Sequence, residues 1–200
     1  MIYIIIIAIA YMLGNISTST ILAKKVYGVD IKTQGSGNPG STNVLRTLGK
    51  KAGAMTFAGD LVKGLVAVFI ARGIAIFTGI DEVSAAYVAV VAVVAGHNWP
   101  VSLGFKGGKG VATSLGAMIA MNPVIALSCF GVFLIIVAIT KYVSLGSVVG
   151  ISLSPIIMLV LNKPKGVLVT LFLTASVIYT HRENIKRLLN GTERKIGEKK

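Results

Sequence analysis

The chain has 200 residues, of which 54% are hydrophobic and only 14% charged, and its mean hydropathy is +0.81. Apolar runs recur over most of the length, which excludes an ordinary soluble domain and points to a single integral membrane domain over residues 1–200. The formal net charge is +13, yet no nucleic-acid partner is expected, because the chain has neither a soluble basic domain nor an aromatic stacking surface. Beside membrane segments, such an excess reads first as topology and anionic headgroups, then as an anionic substrate.

The first apolar run, residues 2–23, predicts a helix of about 33 Å, long enough to cross a bilayer core. It lacks a basic leader region and a small-x-small cleavage site, so it reads as a retained span rather than a removed signal. A second run covers 52–77. A third covers 83–101 and closes on "HNWP", where Trp99 suits the interface. Residues 111–122 predict a short helix of about 18 Å before Pro123, which needs the shelter of neighbours. Residues 124–140, 143–161 and 165–180 complete the set, although Asn122-Pro123 could instead be a kink within one longer helix. The expected fold is all-α, a polytopic membrane protein of about seven transmembrane helices.

With the N-terminus outside and the C-terminus cytoplasmic, segments 24–51, 102–110, 141 and 181–200 carry 16 of the 20 Lys and Arg residues. Lys63 and Arg72 lie inside the second run, and only Lys163 and Lys165 fall in an outer loop. The positive-inside bias supports this orientation. It also puts every glycine-rich segment on the cytoplasmic side.

Those segments carry the chemistry. Residues 35–49 read "GSGNPGSTNVLRTLG", with no acidic group. "GSGNPG" matches the dinucleotide fingerprint G-x-G-x-x-G, but the preceding "GVDIKTQ" makes at most a short strand and a membrane helix follows, so that reading is rejected. What remains is an anion site: glycines bare their amides, Ser41 or Thr42 caps a short helix, and Arg46 stands nearby. "GFKGGKGVATSLG" at 104–116 is similar to a phosphate loop, with Gly110 where a magnesium-binding hydroxyl would stand. Lys106, Gly107, Gly108, Lys109 and Gly110 open a helix and again offer amides and ammonium groups to phosphate.

The third segment, "YTHRENIKRLLNGTERKIG" at 179–197, places His181 and Asn184 on one helix face. Arg182 points elsewhere, toward headgroup phosphates, and the remainder is a basic amphipathic tail whose simplest role is surface association. Asp60 and Lys63 in "GDLVKG" are either functional or a mutually satisfied structural pair. "GSVVG" at 146–150 is a helix-packing pattern in which Ser147 serves as glue or ligand. His97 reads as a satisfied interfacial histidine. The single cysteine, Cys129, lies in an apolar run and reads as an inert thiol. No His, Asp or Glu cluster has metal-ligand spacing, and no cofactor is expected.

In this order, "GSGNPGSTN…R", "GFKGGKGVATSLG" and "HRENIKRLLNGTE", with "GDLVKG" and "GHNWPV" between them, resemble the bacterial acyl-phosphate:glycerol-3-phosphate acyltransferase (PlsY) family. The resemblance covers nearly the whole chain. It implies a seven-helix enzyme of the bacterial plasma membrane with its active site at the cytoplasmic face. Such enzymes transfer a fatty acyl group from acyl phosphate to the 1-hydroxyl of glycerol 3-phosphate, giving lysophosphatidic acid and phosphate, the first step of phospholipid synthesis. No cofactor or acyl-CoA is used, and an upstream acyl phosphate-producing acyltransferase supplies the donor.

The residues fit that chemistry. Two phosphorylated substrates need two anion sites on one face, and an activated mixed anhydride needs no covalent nucleophile. The His-x-x-x-x-Asp pair of unrelated glycerol-phosphate acyltransferases is missing, since Ser102 stands five beyond His97 and Lys186 five beyond His181. Ser36, Gly37, Asn38, Gly40, Ser41, Thr42 and Asn43, with the amides of 107–110, are expected to hold the acyl-phosphate phosphoryl group. The family pattern assigns Arg46, Lys109, Ser147, His181 and Asn184 to glycerol 3-phosphate. The base is either the substrate's own phosphate or His181. The rival reading is a transporter of phosphorylated anions, which would need midplane sites and an internal repeat.

Overall fold

The computed structural model describes residues 1–198; Lys199 and Lys200, counted above with the basic terminal segment, lie outside the described residues. Among the described residues every regular element is a helix. They gather into two compact units, residues 1–121 and the part from Asn122 onward. Five stretches have the length and apolar character to cross a membrane, 2–27, 50–78, 82–103, 123–140 and 143–160, while 111–121 and 164–180 are apolar but shorter.

In the first unit the run expected as one helix over 2–23 is two: α1 (Ile2–Asn15) and α2 (Thr18–Tyr27). Ile16 is extended at φ −68° and ψ 106°, and the Ser17 side chain caps α2 by accepting from the Thr20 amide. Polar side chains that compete for backbone groups favour such a break. The Asn15 amide donates to the Tyr11 carbonyl at 2.8 Å. Helix α2 stops at Gly28, whose φ of 65° suits glycine.

A 3-10 turn over Ile31–Thr33 follows, capped by Asp30, in place of the short strand considered for "GVDIKTQ". Next come α3 (Ser41–Leu48), α4 (Lys50–Thr78), α5 (Glu82–Asn98) and, after a second 3-10 turn at Val101–Leu103, α6 (Val111–Met121). Two close crossings fix this unit. A Cβ on Gly14 would strike the Val93 carbonyl, and one on Gly96 the Tyr11 carbonyl, so α1 and α5 meet backbone to backbone. Gly64 and Gly116 do the same for α4 and α6, against Thr113 O and Leu61 O. Small residues at such crossings let dispersion contacts hold helices together where lipid offers no hydrophobic drive.

The second unit holds α7 (Pro123–Thr140), α8 (Val143–Val160), α9 (Pro164–Thr180) and α10 (Arg182–Leu189). The Asn122-Pro123 question is answered by capping. α6 ends at Met121, Asn122 accepts from the Ile125 amide at 3.3 Å, and Pro123 opens α7, where its missing N–H costs nothing. "GSVVG" packs α8 on α7, with a Cβ on Gly146 reaching 2.8 Å from Val137 and one on Gly150 3.0 Å from the Cys129 carbonyl. Pro155 sits inside α8 and leaves the Ile151 carbonyl without its usual amide. The hydroxyls of Ser154 and Thr174 fill the gap at 2.7 and 3.3 Å. Cys129 is buried.

Candidate active site

The 34–43 loop of the first unit is tied to itself by one side chain. Asn43 accepts from the Ser36 amide at 2.9 Å and donates to the carbonyls of Gln34 at 3.0 Å and Ile31 at 3.5 Å. Its polar atoms are thus engaged by the loop, which shifts Asn43 from ligand to scaffold. Gly35 and Gly37 take φ of 59° and 70°, and a Cβ on Gly35 would overlap Asn43 Oδ1. Gly40 is the N-cap of α3, in place of Ser41 or Thr42, and no side chain caps this helix. The amides of Asn43 and Val44 both bond the Gly40 carbonyl at 3.1 Å. Ser41 and Thr42 form the first turn, whose amides lie at the positive end of the helix dipole. Ser36 and Arg46 are exposed.

The loop before α6 departs from expectation. The Gly107 and Gly108 amides do not point outward for an anion. They donate to the carbonyls of Asn98 and His97, each at 3.1 Å. The reason is local: the last carbonyls of α5 have no intrahelical partner, and these two amides supply one. The glycines are there for close approach, because a Cβ on Gly107 would overlap the His97 carbonyl and one on Gly108 the His97 ring nitrogen Nε2. Gly110 has φ of 79° and its carbonyl accepts from the Ser114 amide at 2.7 Å. The backbone amides of this segment left without an intrahelical partner are those of the first turn of α6. Lys106 is exposed and Lys109 half-buried. Thr113 and Ser114 are fully buried, and their hydroxyls find no hydrogen-bond partner among the described residues.

The two loops meet. Asn38 Nδ2 donates to the Gly107 carbonyl at 3.5 Å and Lys32 Nζ to the Leu103 carbonyl at 3.3 Å. Ser19 holds the Pro39 carbonyl at 2.8 Å. So motifs about 70 residues apart share one surface of the first unit.

Beneath them lies a buried ionic group. Lys63 Nζ is 2.9 Å from Asp60 Oδ1 and donates to the carbonyls of Gly14 at 3.1 Å and Ile16 at 2.7 Å. These are the carbonyls bared by the break between α1 and α2, so the ammonium caps a helix end as well as neutralising a carboxylate. Thr18 donates to Asp60 at 3.4 Å, and His97 Nδ1 stands 3.7 Å away. The pair is structurally satisfied.

The second unit has its own polar cluster, centred on Glu193, which the sequence reading did not single out. One carboxylate oxygen accepts from Asn184 at 2.7 Å and Ser144 at 2.9 Å, and the other from Arg187 at 2.7 Å. Burial pushes this carboxyl up, but the hydrogen bonds from Asn184, Arg187 and Ser144 and the Arg187 charge outweigh it, holding it below the usual carboxylate range. The Ile196 amide bonds the Lys141 carbonyl at 2.8 Å, so the chain end folds back on its own unit. The available signal was one acid, Glu193, amid a run of basic residues.

His181 is buried at the junction of α9 and α10, and its Nδ1 meets the Val177 carbonyl at 2.9 Å. A carbonyl only accepts, so Nδ1 bears a proton in this contact. Ser147 turns its hydroxyl onto the Val143 carbonyl of its own helix at 2.8 Å. Arg182 is exposed, and its guanidinium stacks 4.5 Å over the Tyr179 ring. No metal-binding group of His, Cys, Asp or Glu occurs among the described residues.

A family model described as glycerol-3-phosphate acyltransferase matches residues 4–191, across both units. The chain belongs to the glycerol-3-phosphate acyltransferase family. The glycerol-3-phosphate acyltransferase of Clostridioides difficile (strain 630) is 70% identical over 99% of this chain and 97% of its own length. That of Alkaliphilus metalliredigens (strain QYMF) is 46% identical over 100% of this chain and 98% of its own. The acyltransferase is also similar to crystal structures of PlsY (YgiH), an integral membrane glycerol 3-phosphate acyltransferase. Against its glycerol 3-phosphate form the TM-score is 0.88 at 41% identity, covering 98% of this chain and 96% of that one. Against its lysophosphatidic acid form the TM-score is 0.85 at 40% identity, covering 98% and 95%. This acyltransferase is an integral membrane enzyme.

Proposed function

We propose that this enzyme transfers a fatty acyl group from acyl phosphate to the 1-hydroxyl of glycerol 3-phosphate, releasing lysophosphatidic acid and inorganic phosphate. The observation that carries the reading is the likeness, over nearly the full chain, to a protein solved in its glycerol 3-phosphate and lysophosphatidic acid forms. The hydroxyl oxygen attacks the acyl carbonyl carbon, the carbon–oxygen bond to phosphate breaks, and phosphate leaves with the electron pair. Mixed anhydrides are activated already, so the protein's task is to position two phosphate esters and stabilise developing charge.

In this reading Ser36, Asn38, Ser41 and Thr42, with Lys106 and the first turn of α6, take the donor's phosphoryl group. Arg46, Lys109, Ser147, His181 and Asn184 serve glycerol 3-phosphate. The attacking hydroxyl loses its proton either to the substrate's phosphate, whose second pKa is about 6, or to His181 Nε2. Five long apolar stretches and two shorter ones support a count of seven membrane helices. The distribution of Lys and Arg supports an outer N-terminus, a cytoplasmic C-terminus and a cytoplasmic active site in the bacterial plasma membrane. An acyltransferase that makes acyl phosphate would act upstream.

The test is direct. Purified enzyme is given radiolabelled glycerol 3-phosphate with either acyl phosphate or acyl-CoA. Labelled lysolipid is expected from acyl phosphate alone; product from acyl-CoA alone would refute the donor assignment.

A further inference from the structure

Ser19 is 1% exposed, and its hydroxyl donates to the Pro39 carbonyl at 2.8 Å. The direction of this bond orders the hydroxyls behind it. A carbonyl only accepts and a serine hydroxyl has one proton, so at the 3.1 Å contact between Ser17 Oγ and Ser19 Oγ it is Ser17 that donates. Ser17 has then used its own proton, and at the 2.8 Å contact with Thr20 Oγ1 it accepts. A one-way chain results, from Thr20 through Ser17 and Ser19 to the Pro39 carbonyl, and each donor in such a chain polarises the next. The residue that caps α2 thus also backs the bond to the 34–43 loop.

The Pro39 carbonyl and the Gly40 amide belong to one peptide plane. The carbonyl is held by Ser19, and the amide donates to the Asn38 carbonyl at 2.9 Å, so both edges of the plane are fixed. Gly40 is the N-cap of α3. The direction in which the chain leaves this plane therefore sets where the amides of Ser41 and Thr42 point. The body of α3 is fixed separately: Val44 lies in an apolar cluster with Leu22, Ala23, Ile31 and Ala52, and Leu48 packs against it. Asn38 reaches the Gly107 carbonyl only at 3.5 Å. The shorter, buried Ser19 bond is thus the stronger tie between the entry to α3 and the helices beneath it.

We propose that Ser19 is a positioning residue of this acyltransferase: backed by Ser17, it clamps the Pro39–Gly40 peptide and so aims the first-turn amides of α3 at the donor's phosphoryl group. Without the clamp the plane can turn, because Gly40 has no Cβ to resist it. The inference rests on the reading that Ser41 and Thr42 serve acyl phosphate.

A double-mutant cycle tests it. Ser17→Ala and Ser19→Ala are made singly and together in the full-length enzyme, and kcat, Tm and the KM for acyl phosphate and for glycerol 3-phosphate are measured. Ser19→Ala is expected to raise the KM for acyl phosphate about fivefold, the scale of one hydrogen bond, with kcat and the other KM within about twofold. Ser17→Ala acts on the loop only through Ser19, so its own rise is smaller and disappears in the Ser19→Ala background. Its loss of the α2 cap is independent, so the two falls in Tm add. A merely structural contact would not combine additive Tm with non-additive KM. A Ser19→Ala enzyme within about twofold of the parent in both KM values, or KM effects that multiply, would overturn the proposal. A rise confined to the KM for glycerol 3-phosphate, with the same non-additivity, would remove the donor assignment of the loop while the Ser19 clamp stood. If Ser19→Ala does not fold, Ser19→Cys takes its place in the cycle, since a thiol fills similar space and donates only weakly; the same pattern is expected, and unchanged KM values are again fatal.

Discussion

Asn184 donates its side-chain amide to Glu193 at 2.7 Å, across nine residues of sequence. Arg187 and Ser144 complete the same carboxylate, so one acid gathers α8, α10 and the returning chain end. Glu193→Gln keeps the shape and loses the charge. It is expected to lower kcat/KM more than tenfold by releasing Asn184, while Glu183→Gln, on an exposed side chain, changes it less than twofold.

The same cluster sets a pH dependence. Hydrogen bonds hold the Glu193 carboxyl below its ordinary value against the opposing effect of burial. Its contribution is therefore fully present above the unfolded pKa of about 4.3 and is lost as pH falls through the lower folded value. Thermal unfolding in detergent between pH 3 and 7 should show a fall in Tm at the acidic end that is shallower in Glu193→Gln.

Lys63 closes a charge and a helix break together. Lys63→Ala leaves Asp60 buried and unpaired, and the carbonyls of Gly14 and Ile16 without a donor. A loss of about 3–5 kcal/mol is expected, read as a large drop in Tm. Adding Asp60→Ala should restore part of it, because the unpaired charge is gone while the bare carbonyls remain. A double variant worse than Lys63→Ala would contradict this account.

Asn43→Ala removes the acceptor of the Ser36 amide and the donor to the Gln34 and Ile31 carbonyls. A cost of about 1–3 kcal/mol follows from buried groups left unsatisfied. Because the loop loosens, the KM for acyl phosphate should rise as well. A stability loss with unchanged KM would show that the 34–43 loop has no part in donor binding.

His181→Gln separates the two candidate bases. If the substrate phosphate takes the proton, turnover falls in step with weakened glycerol 3-phosphate binding. A collapse of kcat with binding unchanged would favour His181 Nε2. Arg46→Ala and Lys109→Ala are each expected to raise the KM for glycerol 3-phosphate about tenfold, the scale of one charge-assisted contact; no change in either would discredit both assignments.

The helical fold was legible because apolar runs of fixed length state their own class. Glycines 146 and 150 read correctly as packing, and Asn122-Pro123 carried a cap that only geometry could tell from a kink. Gly107 and Gly108 were misjudged for a physical reason. A glycine that bares an amide and one that admits a neighbour look alike in sequence, and here the neighbour is His97. The break at Ser17 lay in "NISTST" at 15–20, whose short polar side chains compete for backbone groups, but the apolar residues on either side carried the reading of one helix. Glu193 was missed because its partners come from two separate helices, α8 and α10, and no spacing rule joins Ser144 to residue 193.

The interruption at Ile16–Ser17 bears on how the protein is made. Its two bared carbonyls find their ammonium only in Lys63, which leaves the ribosome 47 residues after Ile16. Until α4 packs beside it, the carbonyls of Gly14 and Ile16 lack that donor. The α1–α2 break therefore gains its hydrogen-bond donor only once α4 stands beside it.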